Sequence, residues 1–205
     1  MNKLLGLSLV ATTLIAASLM ADKTFADQTV QGSSATVAVN GTLGADNTNP
    51  DSKIPEGDDN WINVTVPTST IFYNTPKDPT VKSPTYKIVN NSGRPVDVLA
   101  TAFTADSTNV APSSFSLTLQ TVGTATNTAT TATTNLVNAG AVNTSLNAKL
   151  ITLANKEGKM TSTVAATAAT AGDNASTFTY GGSSTATAMT QLKYNLGLTF
   201  KSVGW

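Results

Sequence analysis

The chain has no cysteine and no histidine in 205 residues, and only 12% of its residues are charged. Each shortage removes a class of chemistry. Without a thiol there is no disulfide, no thiolate nucleophile and no lipoprotein anchor. Without an imidazole there is no Ser-His-Asp or Cys-His catalysis, and without either there is no zinc site of the common kinds. Twelve basic residues balance twelve acidic ones, so the basic excess that nucleic acid or an anionic membrane requires is missing. Aromatics make up only 6%. A single apolar run, Leu4–Met20, is diluted by Gly6, Ser8, Thr12, Thr13 and Ser18, and is short for a spanning helix, which needs about 20 residues.

What is abundant is uncharged polarity: 37 threonines, 18 serines and 18 asparagines. Average chains carry about twice this charge. The protein is polar through hydroxyls and amides, which suits a secreted, strand-rich surface protein and points to no reaction.

The first segment reads as an address. Lys3 supplies a positive start, the apolar run follows, and Thr24-Phe25-Ala26 places small residues at −3 and −1 of a signal-peptidase cut before Asp27. Residues 1–26 are therefore expected to be a signal peptide. The exported part has no second run of spanning length, and Trp205 ends the sequence without an LPxTG-type sorting signal. The expectation is an extracellular protein without a membrane span, held by no covalent route.

Residues 27–60 divide into a first strand at 34–43 and an acidic segment, GADNTNPDSKIPEGDDN at 44–60, expected to be a flexible linker. The domain proper is expected at 61–205, with strand 34–43 joining it. Period-two alternation is the main structural signal. Between Ser184 and Lys201 the even positions hold Ala186, Ala188, Leu192, Tyr194, Leu196, Leu198 and Phe200, against Thr187, Gln191, Lys193, Asn195 and Thr199. Ala35, Val37 and Val39, then Ile62, Val64 and Val66, then Phe115, Leu117 and Leu119 repeat the pattern. Further strands are expected at 69–73, 85–90, 95–104, 150–154, 160–166 and 176–180. Turn chemistry at Asn91-Ser92-Gly93, Ala171-Gly172-Asp173-Asn174 and Gly181-Gly182 separates several of them. Threonine's branched β-carbon suits a pleated surface.

The fold class read from this is all-β, an immunoglobulin-like antiparallel β-sandwich. Residues 135–155, carrying Leu136, Val137, Ala141, Leu146 and Leu150, read either as one short helix on the sheet edge or as loop. The Thr/Ala tract at 121–134 reads as a surface loop between strands.

The candidate chemistry is sparse. A hydrolytic carboxylate pair needs two acids held about 5–10 Å apart, and the acids here crowd one segment. That segment offers a weak calcium candidate in Asn47, Asn49, Asp51 and Asp58, but Ser52 and Asp58 stand where an EF-hand loop has glycine and glutamate. A solvated linker is the more economical account. A self-formed Lys–Asn isopeptide bond would need a buried lysine beside an asparagine and an acid. No cofactor is implied.

The C-terminal run Tyr194-Asn195-Leu196-Gly197-Leu198-Thr199-Phe200-Lys201-Ser202 resembles the distal motif of the WxL cell-wall-binding domain, roughly Y-x-x-x-L-T-W-x-L. Tyr194, Leu198 and Thr199 match; Phe200 stands for the tryptophan and Ser202 for the leucine. Upstream, Phe178 lies in an aromatic strand before glycines, as in such domains. The resemblance implies an exported protein of Gram-positive bacteria, held non-covalently on peptidoglycan or another wall polymer and assembled with other surface proteins. Tyr194, Leu198, Thr199, Phe200 and Phe178 are its contact candidates. Trp61 and Trp205 join them as indoles expected to be exposed. The alternative reading is a fibre or pilus-like subunit, or an adhesin for a host or partner protein, since uncharged threonine-rich edges favour strand-to-strand packing. A secreted carbohydrate-active enzyme is the disfavoured third.

Overall fold

A computed structural model describes residues 46–161 and 171–204. The expected signal peptide, the expected strand 34–43, most of the expected strand 160–166, and Trp205 lie outside them. Every regular element described is a strand, apart from one 3-10 turn at Asp59–Trp61.

The strands are β1 (Val64–Thr65), β2 (Tyr73–Thr75), β3 (Asp78–Lys82), β4 (Tyr86–Asn90), β5 (Val96–Ala105), β6 (Ser116–Val122), β7 (Thr133–Asn138), β8 (Ala141–Val142), β9 (Ala148–Leu153), β10 (Ala175–Ser183) and β11 (Tyr194–Ser202). They form two antiparallel sheets. The larger runs β1-β4-β10-β6-β7-β8, with β3 pairing both β10 and β2; the smaller runs β11-β5-β9. A single core lies between them. Ile88, Leu117, Leu119, Leu136, Phe178 and Tyr180 come from one sheet, and Val98, Ala100, Phe103, Ile151 and Leu153 from the other. The protein is an antiparallel β-sandwich.

Alternation does the sorting. In β6, Leu117, Leu119 and Thr121 are buried while Gln120 and Val122 are exposed, as a one-faced strand requires. In β5, Val96, Val98, Ala100 and Phe103 face inward, with a register shift against β11 between Gly197 and Leu198 that lets a long strand bend.

Two expectations need correction. The helix over 135–155 does not form: those residues are β7, β8 and β9. Leu136, Val137 and Leu150 suit either period, but Ala139 and Gly140 take positive φ (49° and 78°) and close a hairpin. The alternation from Ser184 also begins too early, because β11 starts at Tyr194. Alanine and threonine at 184–190 offer too little apolar area to hold a strand against the core.

The two ends of the sandwich differ. At one, Val96 pairs with both Ser202 and Leu153, and Asn90 closes β4. At the other, Tyr194 pairs with Ala105, and β10 runs out through Tyr180 to Ser183.

Candidate functional site

The second end carries an open groove of about 710 Å³, within the usual size of ligand clefts. The strap from Thr70 to Pro76 forms one wall and the loop from Ser184 to Lys193 the other, with Phe103, Phe115 and Tyr194 at the base. Tyrosine hydroxyls hold the strap. Tyr180 Oη and Thr70 Oγ1 share a hydrogen bond of 2.9 Å. Tyr86 Oη accepts the Ile71 N–H at 2.6 Å and donates to the Ile71 carbonyl at 3.2 Å. Asn74 Nδ2 then donates across the groove to the Ser184 carbonyl at 2.9 Å. The loop's far end is fixed where the Asp106 N–H and Asn109 Nδ2 both donate to the Lys193 carbonyl.

The base is a run of touching rings. Phe72 stacks on Phe115 at 5.6 Å, meets Tyr180 edge-on at 6.2 Å and tilts against Tyr194 at 6.3 Å. Tyr194 stacks on Phe103 at 4.8 Å. Tyr180 continues the run to Phe178 at 6.0 Å, and Phe178 to Tyr86 at 5.4 Å. Two contact candidates, Tyr194 and Phe178, thus share one aromatic array, although Phe178 lies deep in the core. At the mouth, Ile71, Tyr73 and Met189 are largely exposed.

Polarity in the groove is almost entirely uncharged. Asn74, Gln191 and several hydroxyl-bearing residues line it, Lys193 is the one charged residue in the lining, and it includes no Asp or Glu. The Tyr194 Oη is buried without a hydrogen-bond partner, and burial raises its pKa above the ordinary tyrosine value. Burial likewise raises Tyr180, against an opposing effect of its Thr70 bond. Such a surface can stack rings or apolar faces and exchange neutral hydrogen bonds.

The other candidates lie elsewhere. Leu198 and Phe200, on β11, are half-buried against the core. Thr199 hydrogen-bonds Thr101 between hydroxyls at 2.8 Å. Trp61 is not exposed at all: its relative accessibility is 0%. Its Nε1–H donates to the Pro55 carbonyl at 3.0 Å, and the Arg94 guanidinium lies 4.1 Å from its ring centre. Arg94, itself buried, makes a forked ion pair with Glu56, its Nη2 at 2.5 Å and its Nε at 2.9 Å, and donates to the Pro50 carbonyl.

That pair corrects a further expectation. The acidic segment from Asp46 to Asn60 does not hang free but packs on the sandwich end through Ile54, Glu56 and the Trp61–Arg94 contact. The calcium candidates within it serve separate turns. Asn47 Oδ1 accepts from Asn63, Asn49 Oδ1 from the Asp51 N–H, and Asp58 Oδ1 from the Asn60 N–H. Among the described residues no three acids cluster to hold a metal ion. No lysine among them is buried, which leaves a Lys–Asn bond without its nucleophile there.

Sequence reasoning missed Phe72, Tyr73, Phe103 and Tyr180 as a set because they come from three separate segments. It also passed over Arg94, which follows the Asn91-Ser92-Gly93 turn. No family model matches the chain, and comparison with curated proteins and with solved structures returned no match.

Proposed function

We propose that this is an exported, non-enzymatic surface protein that binds a cell-wall polymer non-covalently and so stays at the cell surface. The observation that carries this reading is the groove: aromatic rings at its base, hydroxyl and amide groups along it, and no carboxylate in its lining. Neutral glycan or peptide segments of peptidoglycan offer the matching chemistry, apolar sugar faces and amide groups. A hydrolase would bring two acids to bear on the bond, and this groove's lining supplies neither. The signal-peptide pattern and the WxL-like C-terminus, whose Tyr194 forms part of the groove base, support the location. The fibre-subunit alternative depends on a different feature, the edge of β11.

Pelleting with isolated Gram-positive walls tests the proposal. The protein is expected in the pellet at both low and high salt, since the contact is not ionic. Tyr73→Ala, at an exposed ring on the groove mouth, should move it to the supernatant without changing the melting curve. Wild-type protein left in the supernatant at every salt concentration would refute wall retention.

A further inference from the structure

We infer that the groove selects the peptide rather than the glycan of the wall polymer, with Lys193 pairing with a free carboxylate at the peptide's end. This rests on the wall-binding reading and names the part of the wall that the groove takes.

Charge is the discriminating feature. Lys193 alone among the lining residues is charged, and no Asp or Glu stands in the lining beside it. Among the described residues no ion pair includes it. Asp106 is held below the ordinary carboxylate range by the Thr108 hydroxyl and N–H and in smaller part by Lys193. Its Oδ1 is spent on those Thr108 groups, at 2.6 and 2.9 Å. An occupant that brings a carboxylate completes a pair with Lys193. A neutral one leaves that charge unused.

The lysine is also positioned. Asn109 grips its main chain at both groups, Oδ1 accepting the Lys193 N–H at 2.9 Å and Nδ2 donating to its carbonyl at 2.6 Å. The Asp106 N–H reaches the same carbonyl at 3.0 Å. Three hydrogen bonds thus fix the root of the side chain where the loop from Ser184 enters β11. Its flexible four-carbon stem gives the ammonium reach along the groove end.

The number of charges names the anion. A phosphate-rich wall polymer repeats its charge along its length and calls for several cations, whereas one lysine matches one carboxylate. Amides suit the rest of a peptide. The Gln191 side chain makes no hydrogen bond among the described residues, and Asn74 spends only Nδ2, on the Ser184 carbonyl. Such amide donors and acceptors pair with peptide groups in kind. The rings still hold the ligand at high salt, while the ion pair, which salt screens, sets the choice at low salt.

Calorimetric titration with three probes tests this: diacetyl-Lys-D-Ala-D-Ala as the free acid, the same peptide amidated at its C-terminus, and chitotetraose as a neutral glycan. At low salt the acid is expected to bind about three- to fivefold more tightly than the amide, the worth of one partly exposed ion pair. Chitotetraose should bind most weakly. Lys193→Gln should bring the acid down to the level of the amide, and Lys193→Arg should keep the preference. Equal binding of acid and amide, a preference for chitotetraose, or no binding of either peptide overturns the inference. Walls stripped of phosphate polymers should retain the protein fully; its release from them would overturn the inference in favour of a phosphate ligand. Pelleting with intact walls tells this failure from that of the wall reading. Protein that pellets without a carboxylate preference binds another part of the wall, and only this inference falls. Protein that never pellets takes both down.

Discussion

Replacing Trp61 by alanine separates a structural plug from a binding contact. The side chain is fully buried, donates one hydrogen bond to Pro55 and supports the Arg94 guanidinium at 4.1 Å. Truncating a buried tryptophan costs about 3–5 kcal/mol, and that figure already includes much of the ring's contact with its neighbours. The hydrogen bond is worth about 1 kcal/mol and the cation–π contact about 1–2 kcal/mol in such a desolvated place. A domain of this kind has about 5–15 kcal/mol in total. With a urea dependence of about 2 kcal/mol per molar, Trp61→Ala should lower the midpoint by about 2 M, and Trp61→Phe by less than half of that.

The assay uses Trp205→Phe as background, because the chain has two tryptophans and this leaves Trp61 as the sole fluorophore. Native emission should be blue-shifted and should move to the red in one step with unfolding. A midpoint change below about 0.5 M, close to 1 kcal/mol, would refute the burial argument. Loss of wall retention with an unchanged midpoint would restore Trp61 as an exposed contact.

Three further outcomes follow from the same geometry. Burial raises the Tyr180 and Tyr194 hydroxyls above the ordinary value of 10.0, so between pH 10 and their raised values the folded state holds protons that the unfolded chain releases. Stability is therefore intact below pH 10 and falls as pH climbs through that window, and urea midpoints should fall less steeply there for the double Tyr180→Phe, Tyr194→Phe variant. Gly182 sits at φ 125°, and an added β-carbon would run into the Ser116 carbonyl. Gly182→Ala should thus cost about 2–3 kcal/mol in a urea titration, and a change within 0.5 kcal/mol would contradict the β6–β10 register. Glu56→Gln deprives the buried Arg94 of its charge partner. Because the Glu56 side chain is 46% exposed, the expected loss is only about 1–2 kcal/mol, read from the thermal midpoint at low salt.

The strands were legible wherever alternation carried large side chains. Leu117 and Leu119, or Val96 and Val98, bury enough area to choose a face, and their strands lie where the pattern puts them. Where alternation was built from alanine and threonine, at 184–190, the pattern survived but the energy behind it did not. Residues 135–155 misled for another reason: the spacing of Leu136, Leu146 and Leu150 fits two periods, and only the Ala139-Gly140 turn separates them. The acidic segment was read by its charge, whereas its structure follows from Ile54 and Trp61 meeting a guanidinium 33 residues beyond the tryptophan. The groove was the least visible of all. Tyr194 was singled out on a local motif, but its neighbours Phe72, Phe103 and Phe115 reach it only through the sheet register.

The scarcity of charge and the position of the groove have a common basis. At the end opposite the groove, loops are joined by buried amides. Asn90 Nδ2 donates to the Arg94 and Ala154 carbonyls at 2.8 Å each, while its Oδ1 accepts the Ser92 N–H. Asn127 Nδ2 donates to the Thr152 and Asp173 carbonyls, and its Oδ1 takes the Asp173 N–H. An amide offers donors and an acceptor to backbone without the desolvation cost of an ion, so asparagine is the economical way to close loops in a chain with so few charges. Removing such an amide strands several buried backbone groups at once, each worth about 1–3 kcal/mol. The stapled end therefore holds these buried hydrogen bonds, while the aromatic end presents exposed Tyr73, Ile71 and Met189, where substitutions are expected to alter the proposed binding while the fold stands.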